Sequence, residues 1–178
     1  MKTFFVTGGA GFVGSTLCEK IIAENKNNKL VILDKLTYSG NLKYLKNILH
    51  LKRVKFIKGD LLKTKSYLSF LKNADVAINV AAESHVDNSF NAPIQFTTNN
   101  TLGTHIFLEN CINSNVKKII HISSDEVYGE KLKGEYSEDS PLTPTNPYSA
   151  SKAAAELIIN SYKFSYKKKI ITLRGNNI

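Results

Sequence analysis

Six short apolar runs alternate with helix-like segments along the chain, and this alternation constrains the fold most. We predict strands near residues 2–7, 30–34, 54–58, 75–80, 117–123 and 169–174. We predict helices near residues 12–25, 40–50, 63–72, 91–114 and 148–166. Parallel strands joined through helices form right-handed βαβ units. The expected fold is therefore α/β, a doubly wound parallel sheet of about six strands in the order 3-2-1-4-5-6 with helices on both faces.

Composition narrows the classes of protein that remain. No apolar run approaches the roughly 20 residues that span a bilayer, and the N-terminal apolar stretch is too short for a signal peptide. We therefore expect a cytoplasmic protein without a membrane partner. The formal net charge is +9, but the lysines are scattered and do not interleave with aromatic residues, so we expect no nucleic-acid partner. Cys18 and Cys111 lie in predicted helices, where we expect small buried apolar groups; we predict no metal site.

A glycine-rich turn follows the first predicted strand. The segment Thr7–Gly14 contains Gly8, Gly11 and Gly14, and it opens the first predicted helix. Glycine permits a tight turn and lets the backbone approach a pyrophosphate, while the helix N-terminus supplies free N–H groups. The spacing G-x-x-G-x-x-G is a variant of the dinucleotide fingerprint, and it predicts a nucleotide site.

Acidic residues after the second and third strands extend this prediction. Asp34 ends the second strand, 20 residues beyond Gly14, where an acid hydrogen-bonds a ribose 2′-OH and repels a 2′-phosphate. This favours NAD over NADP, although the neighbouring Lys35 weakens the exclusion. Asp60 follows the third strand, where either an adenine contact or an Asx-turn is expected. The small residues of Ala81–His85 end the fourth strand and leave room for the nicotinamide half.

Two further clusters indicate chemistry. Tyr148 and Lys152 share one helix face at the i, i+4 spacing, and a nearby ammonium favours the phenolate of a tyrosine base. Ser124, Asp125 and Glu126 begin where the fifth predicted strand ends, at the edge of the sheet where ligands bind. Adjacent carboxylates in a crevice can serve as one acid and one base. A solvated acidic loop is the alternative for this pair.

These residues resemble the extended short-chain dehydrogenase/reductase family, with its Rossmann fold, and within it the nucleoside-diphosphate-glucose 4,6-dehydratases. The matching stretches are Thr7–Gly14, Asp34–Asn41, Ala81–Asp87, Asp125–Gly129 and Tyr148–Lys152. The Asp125-Glu126 pair is the specific part, because sibling epimerases and decarboxylases usually lack it. The resemblance covers essentially the whole chain, but family members are nearly twice as long.

The resemblance implies a dehydration reaction with NAD as cofactor. Tyr148 would take the proton of the sugar 4-OH, and Ser124 would hydrogen-bond that oxygen. Glu126 would remove the C5 proton, and Asp125 would protonate the departing C6 hydroxyl. Lys152 would orient the nicotinamide ribose and tune Tyr148. The implied cofactor contacts are Gly8, Gly11, Phe12, Val13, Gly14, Asp34, Lys35, Asp60, Leu61, Ala81, Ala82, Ser84, Asn99, Tyr148 and Lys152. The implied substrate contacts are Ser84, His85, Ser124 and Asn177.

Several alternatives stay open at this point. The stretch Asp34–Asn41 looks more like dTDP-glucose enzymes, whereas His85–Phe90 and Leu173–Asn177 look more like UDP-glucose enzymes. A nucleotide-sugar 4-epimerase would use the same tyrosine and lysine, and a truncated NAD-binding module would need no chemistry. We expect residues 1–178 to form an NAD-binding domain that lacks the family's C-terminal substrate domain, to turn over poorly, and to pair as a homodimer through the helices near 91–114 and 148–166.

Overall fold

A six-stranded, all-parallel sheet forms the centre of the computed structural model, which describes residues 1–131 and 133–176. Its order is β3-β2-β1-β4-β5-β6, which confirms the predicted doubly wound topology. The strands are β1 (Thr3–Thr7), β2 (Lys29–Asp34), β3 (Val54–Lys58), β4 (Val76–Asn79), β5 (Lys118–Ser124) and β6 (Ile170–Gly175). The α-helices are α1 (Phe12–Glu24), α2 (Leu68–Leu71), α3 (Val86–Asn91), α4 (Pro93–Phe96), α5 (Gly103–Asn113) and α6 (Pro147–Tyr166).

Apolar side chains cover both faces of the sheet because successive strand residues point to opposite sides. Phe5 of β1 packs in one cluster with Phe107 of α5 and Ile159 of α6. The next residue, Val6, packs in the other cluster with Cys18 and Ile22 of α1. This two-sided burial explains why the strand sequences are almost continuously apolar. Cys18 and Cys111 are buried free thiols, as predicted.

The predicted helix at 40–50 is wrong. The segment forms a short 3₁₀-helix (Leu42–Leu45) followed by turns, with i→i−3 hydrogen bonds such as Ile48 N–H to the Leu45 carbonyl, 3.0 Å. Leu45 and Ile48 are both buried, and successive three-residue turns place both in the core. The predicted helix at 63–72 is also interrupted, because the Tyr67 hydroxyl lies in the core and donates to the Leu61 carbonyl, 3.0 Å away. A 3₁₀-helix (Thr64–Ser66) and α2 remain on either side.

The predicted helix at 91–114 is divided into α4, a π-helical segment (Thr97–Leu102) and α5, and the additional helix α3 precedes it. Ala92, with φ −139° and ψ 55°, separates α3 from α4, and Pro93 then begins α4. Helix α6 is close to the prediction and begins with a capping box. Asn146 Oδ1 accepts the Ser149 N–H, and Ser149 Oγ accepts the Asn146 N–H. Within the described residues, no helix combines the length and the apolar character needed to cross a bilayer.

Candidate active site

A cleft of about 680 Å³ opens at the carboxyl ends of the strands, on both sides of β1. Parallel sheets bind ligands at this edge, where neighbouring strands lead to helices on opposite faces. The turn after β1 forms one wall, and the segments after β4 and β5 form the other walls. The predicted site residues that line this cleft are Gly8, Gly11, Phe12, Val13, Gly14, Asp34, Lys35, Asp60, Leu61, Ala81, Ala82, Ser84, His85, Asn99, Ser124, Glu126, Tyr148 and Lys152.

The glycine turn leaves no room for side chains. Gly8 has φ +67°, and a Cβ there would lie 2.6 Å from the Cα of Ala81. A Cβ on Gly14 would lie 2.1 Å from the Gly8 carbonyl oxygen. Both distances are far below contact, so these two glycines let the β1–α1 turn, the first turn of α1 and the end of β4 pack against one another.

The first turn of α1 faces the cleft with free backbone donors. The first N–H groups of an α-helix have no acceptor within the helix, and its N-cap, Gly11, supplies no side-chain cap. A Cβ on Gly11 would meet only the Gly8 oxygen, at 3.4 Å, so the space above this turn is open. An open, uncapped helix N-terminus attracts phosphate oxygens. The residues present therefore fit the pyrophosphate of a dinucleotide.

Asp34 lies at the end of β2, in the wall of the cleft. Its Oδ2 accepts the Ala10 N–H at 2.8 Å, and its Oδ1 accepts the Leu36 N–H at 2.8 Å. Each carboxylate oxygen has two acceptor sites, so these bonds orient the carboxylate and leave it able to accept from a ribose hydroxyl. This arrangement fits the sequence-based expectation for Asp34.

Asp60 forms both an Asx-turn and an ion pair. Its Oδ1 accepts the Leu62 N–H at 3.0 Å, and its Oδ2 lies 2.8 Å from the Lys35 ammonium. Burial acts to raise the pKa of Asp60, but the hydrogen bonds from Lys35 and Leu62 outweigh it and lower the pKa. The ion pair directs the positive charge of Lys35 towards Asp60, on the side of the cleft next to Asp34.

Tyr148 and Lys152 both lie on the first turns of α6 and are almost fully buried. The Lys152 Nζ donates to the Ile122 carbonyl of β5 at 2.7 Å. Burial lowers the pKa of Lys152 to about 8, and the negative charge of Glu156 acts in the opposite direction. The shared helix face predicted from the i, i+4 spacing is therefore present, and both side chains line the cleft.

The expected lowering of the Tyr148 pKa is not found in the structure. Burial raises the pKa of Tyr148, and the charges of Glu126 and Asp125 act in the same direction. A side-chain hydrogen bond with Ser124 lowers it, but by less than burial raises it. The ammonium of Lys152 is bonded to the β5 backbone instead. The prediction is wrong because it counted the ammonium and omitted the loss of solvent around the phenol.

The carboxylate pair lies on a 3₁₀-turn (Asp125–Tyr128) directly after β5. Ser124 caps this turn, because its Oγ accepts the Glu126 N–H at 3.2 Å, and the same hydroxyl donates to Asp125 Oδ1 at 3.3 Å. Glu126 Oε2 accepts the Asn146 amide at 3.2 Å and lines the cleft, whereas Asp125 lies beside the cleft rather than in its lining. The two carboxylates therefore have different surroundings, as separate acid and base roles require.

Residues after β4 form the opposite wall, and one of them, Glu83, was not predicted from the sequence to have a role in the site. The Glu83 carboxylate is buried, and its Oε1 accepts the Asn99 amide at 2.8 Å. The Glu83 N–H donates to Asn100 Oδ1 at 2.7 Å, and the Asn100 amide reaches Ser151 Oγ at 2.9 Å. This chain of bonds joins the loop bearing Ser84 to helix α6. A charged residue within the small-residue stretch Ala81–His85 is the only signal that could have found it.

Arg174 and Glu156 were also missed. They form an ion pair between the buried Glu156 and the partly exposed Arg174, with Arg174 Nη2 2.7 Å from Glu156 Oε2. The available signal was the position of Glu156 four residues after Lys152, on the same helix face. The predicted substrate contact Asn177 lies outside the described residues.

Comparison with known proteins shows the family and the fold of the chain. A family model described as GDP-mannose 4,6 dehydratase matches residues 5–177. A dTDP-D-glucose 4,6-dehydratase of Dictyostelium discoideum is 43% identical over 191 residues, covering 100% of this chain and 44% of that protein. A trifunctional UDP-glucose 4,6-dehydratase/UDP-4-keto-6-deoxy-D-glucose 3,5-epimerase/UDP-4-keto-L-rhamnose-reductase of Arabidopsis thaliana is 43% identical over 184 residues, covering 99% and 27%. The chain thus spans half or less of the length of these two relatives.

Solved structures share the fold. DesIV of Streptomyces venezuelae, a dTDP-glucose 4,6-dehydratase solved with NAD and TYD bound, superposes with a TM-score of 0.93 and 35% identity, covering 97% of this chain and 55% of DesIV. A UDP-N-acetylglucosamine 4-epimerase from Methanobrevibacter ruminantium M1 reaches a TM-score of 0.89 at 35% identity, covering 97% and 54%. Dehydratases and epimerases therefore share this architecture, and the side chains at the cleft must separate them.

Proposed function

The chain belongs to the GDP-mannose 4,6-dehydratase family, and from this premise we propose that it is the NAD-binding part of a nucleotide-sugar 4,6-dehydratase. The proposed substrate is a nucleoside-diphosphate-glucose, dTDP-glucose first and UDP-glucose second, and the product is the 4-keto-6-deoxy sugar. One observation carries the proposal. Glu126 lines the same cleft as Tyr148, Lys152 and the glycine turn, so an acid–base group lies within the volume that fits a dinucleotide.

The glycine turn, Asp34 and Lys152 are the groups that we propose to hold the cofactor. The free N–H groups of α1 suit its pyrophosphate, and Asp34 suits a ribose hydroxyl. NAD, when bound, supplies a hydride acceptor and donor to the sugar. Lys152 suits the nicotinamide ribose, because its ammonium is fixed by the Ile122 carbonyl and lines the cleft.

The side chains after β5 perform the proton transfers in this proposal. Tyr148, as the phenolate that its hydrogen bond with Ser124 favours, takes the proton of the sugar 4-OH as C4 gives up its hydride. Ser124 hydrogen-bonds the same sugar oxygen. The resulting 4-keto group acidifies the C5–H, and Glu126 removes this proton. Asp125 protonates the C6 hydroxyl, which leaves as water. The hydride removed from C4 would then return to C6, and Glu126 would return its proton to C5, which completes the 4-keto-6-deoxy product and restores NAD. The Ser124 bonds to Tyr148 and Asp125 support this division, since one hydroxyl joins the oxidising and dehydrating groups.

The test is product analysis on the complete protein. It is incubated with NAD and either dTDP-glucose or UDP-glucose, and the products are followed by mass spectrometry and NMR. The proposal expects loss of one water and a 4-keto-6-deoxy hexose, faster with the preferred nucleotide. Formation of the C4 epimer without loss of water would identify an epimerase, and NAD binding without turnover of either sugar would leave a binding module.

Assembly and location are further proposals. We expect a homodimer through α4, α5 and α6, because the π-helical segment and α6 carry exposed apolar side chains, including Leu102, Leu157 and Phe164. Light scattering tests this, and Leu157→Asp should shift the protein towards the monomer. A cytoplasmic location also stays a prediction, to be checked by fractionation of cells.

A further inference from the structure

Arg174, near the end of β6, donates hydrogen bonds to three separate segments. Its Nε lies 3.2 Å and 3.0 Å from the two Glu156 carboxylate oxygens, and its Nη2 lies 2.7 Å from Oε2. Its Nη1 donates to the Tyr128 hydroxyl at 2.5 Å and to the Glu138 carbonyl at 2.8 Å. One guanidinium therefore joins helix α6, the end of the turn Asp125–Tyr128, and the loop that follows this turn.

The first of these bonds holds the helix that carries Tyr148 and Lys152. Glu156 lies one helical turn after Lys152 and is almost completely buried. A buried carboxylate needs a charged partner with good geometry, and Arg174 supplies a two-pronged one. The bonds from Arg174 therefore set the position of α6 relative to the sheet at the level of Lys152.

The second bond holds the turn that carries Asp125 and Glu126. Tyr128 is the last residue of this turn, and its ring stacks on Tyr136 of the following loop at 4.9 Å between centroids. The guanidinium carbon of Arg174 lies 4.7 Å from the Tyr128 ring centroid. The turn is thus pinned at its far end, while Ser124 caps its start.

We propose that Arg174 is a positioning residue, which fixes the carboxylate turn and the Tyr148/Lys152 helix relative to each other. The inference rests on the proposed function, since it concerns the same reaction. A planar guanidinium with donors in fixed directions can hold two partners at a set angle, which a lysine ammonium on a flexible stem cannot. Displacement of either segment would separate Glu126 from Tyr148 across the substrate.

The main test compares Arg174→Lys with Arg53→Lys in the complete protein. Arg53 is a matched control, because its guanidinium bonds, within the part of the chain that the structure describes, to main-chain carbonyls near the end of α1. Arg174→Lys keeps a charge beside Glu156 but loses the fork. We expect it to lower kcat by on the order of 100-fold, with the Kd for NAD and the KM for the sugar within about threefold. Arg53→Lys should leave all three values unchanged.

Tyr128→Phe isolates the second bond. It removes the hydroxyl that accepts from Arg174 and leaves the ion pair with Glu156. Solvent deuterium exchange at C5 should slow by about tenfold, while formation of NADH in a single turnover changes by less than about threefold. In the double variant, the two effects should be less than additive, as for residues in one hydrogen-bonded network.

Hydrogen–deuterium exchange provides a readout that needs no substrate. The segment Asp125–Tyr128 should exchange faster in Arg174→Lys than in Arg53→Lys, with the central strands unchanged. Equal exchange of this segment in the two variants would overturn the proposal. Equal kcat in Arg174→Lys and Arg53→Lys, with an active wild type, would also overturn it. A parallel fall in melting temperature, NAD affinity and kcat would also overturn it and leave only a structural role. Failure of the proposed function is separate, since it shows as absence of dehydrated product from the wild type.

Discussion

The ammonium of Lys152 lies 2.7 Å from the main-chain carbonyl oxygen of Ile122, to which it donates a hydrogen bond. This bond joins α6 to β5 two residues before Ser124, so the strand that leads to the carboxylates also holds the lysine. The ammonium is almost completely buried. A charge in this position makes the stability of the fold depend on pH.

Lys152→Met removes this dependence. Burial lowers the folded-state pKa to about 8, below the usual 10.5. Between these values the unfolded chain binds the proton and the folded chain does not, so stability rises with pH across this window. We expect the free energy of unfolding of the wild type to rise by about 3 kcal/mol relative to Lys152→Met between these limits. Urea denaturation measures it. Lys20→Met, at an exposed lysine of α1, is the control, and parallel pH curves for wild type and Lys152→Met would contradict the prediction.

Glu126→Gln and Asp125→Asn test the dehydration roles in the complete protein. Each variant should lower the rate of product formation by about 10²- to 10⁴-fold, the usual contribution of a general acid or base. NADH formation in a single turnover should survive, because Tyr148 is intact. The exposed neighbours Glu138 and Asp139 offer a second adjacent acidic pair, and Glu138→Gln with Asp139→Asn should retain full activity. Unchanged product formation in the Glu126 and Asp125 variants would exclude the dehydratase.

Gly14→Ala should mainly lower the stability of the fold, whereas Gly11→Ala should mainly weaken NAD binding. A Cβ on Gly14 would lie 2.1 Å from the Gly8 oxygen, and the contacted atoms are backbone. We expect a loss of roughly 1–3 kcal/mol in the free energy of unfolding, the usual cost of overpacking. Gly11→Ala should cost less than about 1 kcal/mol and yet weaken NAD binding, because its methyl enters the cleft. Thermal melts and calorimetric titration with NAD measure the two effects. Equal losses of stability in both variants would refute the difference in packing.

His121 should destabilise the fold in acid. Burial lowers its pKa well below 6.5, and the charges of Lys152 and Lys163 act in the same direction. Its Nδ1 accepts the Asn79 amide at 3.2 Å. Below pH 6.5 the unfolded chain gains a proton that the folded chain does not, so stability falls as pH falls. We expect the free energy of unfolding to fall progressively as the pH is lowered below 6.5, and this loss should be absent from His121→Gln. His50→Gln, at an exposed histidine, should lose stability in acid as the wild type does. If His121→Gln also keeps this loss, a group other than His121 causes it.

The sequence by itself determined the sheet and the nucleotide turn. Almost continuously apolar runs predict strands that are buried on both faces of a sheet. Because helical segments separate these runs along the chain, the doubly wound strand order could be predicted. Gly8 and Gly14 could be predicted to form the nucleotide turn, because glycine alone lets backbone segments approach so closely. Helical patterns were less reliable. The segment at 40–50 has apolar spacing that a helix or a series of tight turns satisfies equally, and only packing of Leu45 and Ile48 against the sheet decides between them.

Tertiary structure alone decided the electrostatics of the site. The i, i+4 spacing placed Tyr148 beside Lys152, but the pKa values of both groups depend on burial and on segments distant in sequence, such as the carbonyl of Ile122. The link from Arg174 to Glu156 and Tyr128 spans separations of 18 and 46 residues. No local pattern encodes such contacts, because they arise where β6 returns beside β5. The sequence identified the groups that can react, and the packing of distant segments decided how they are held.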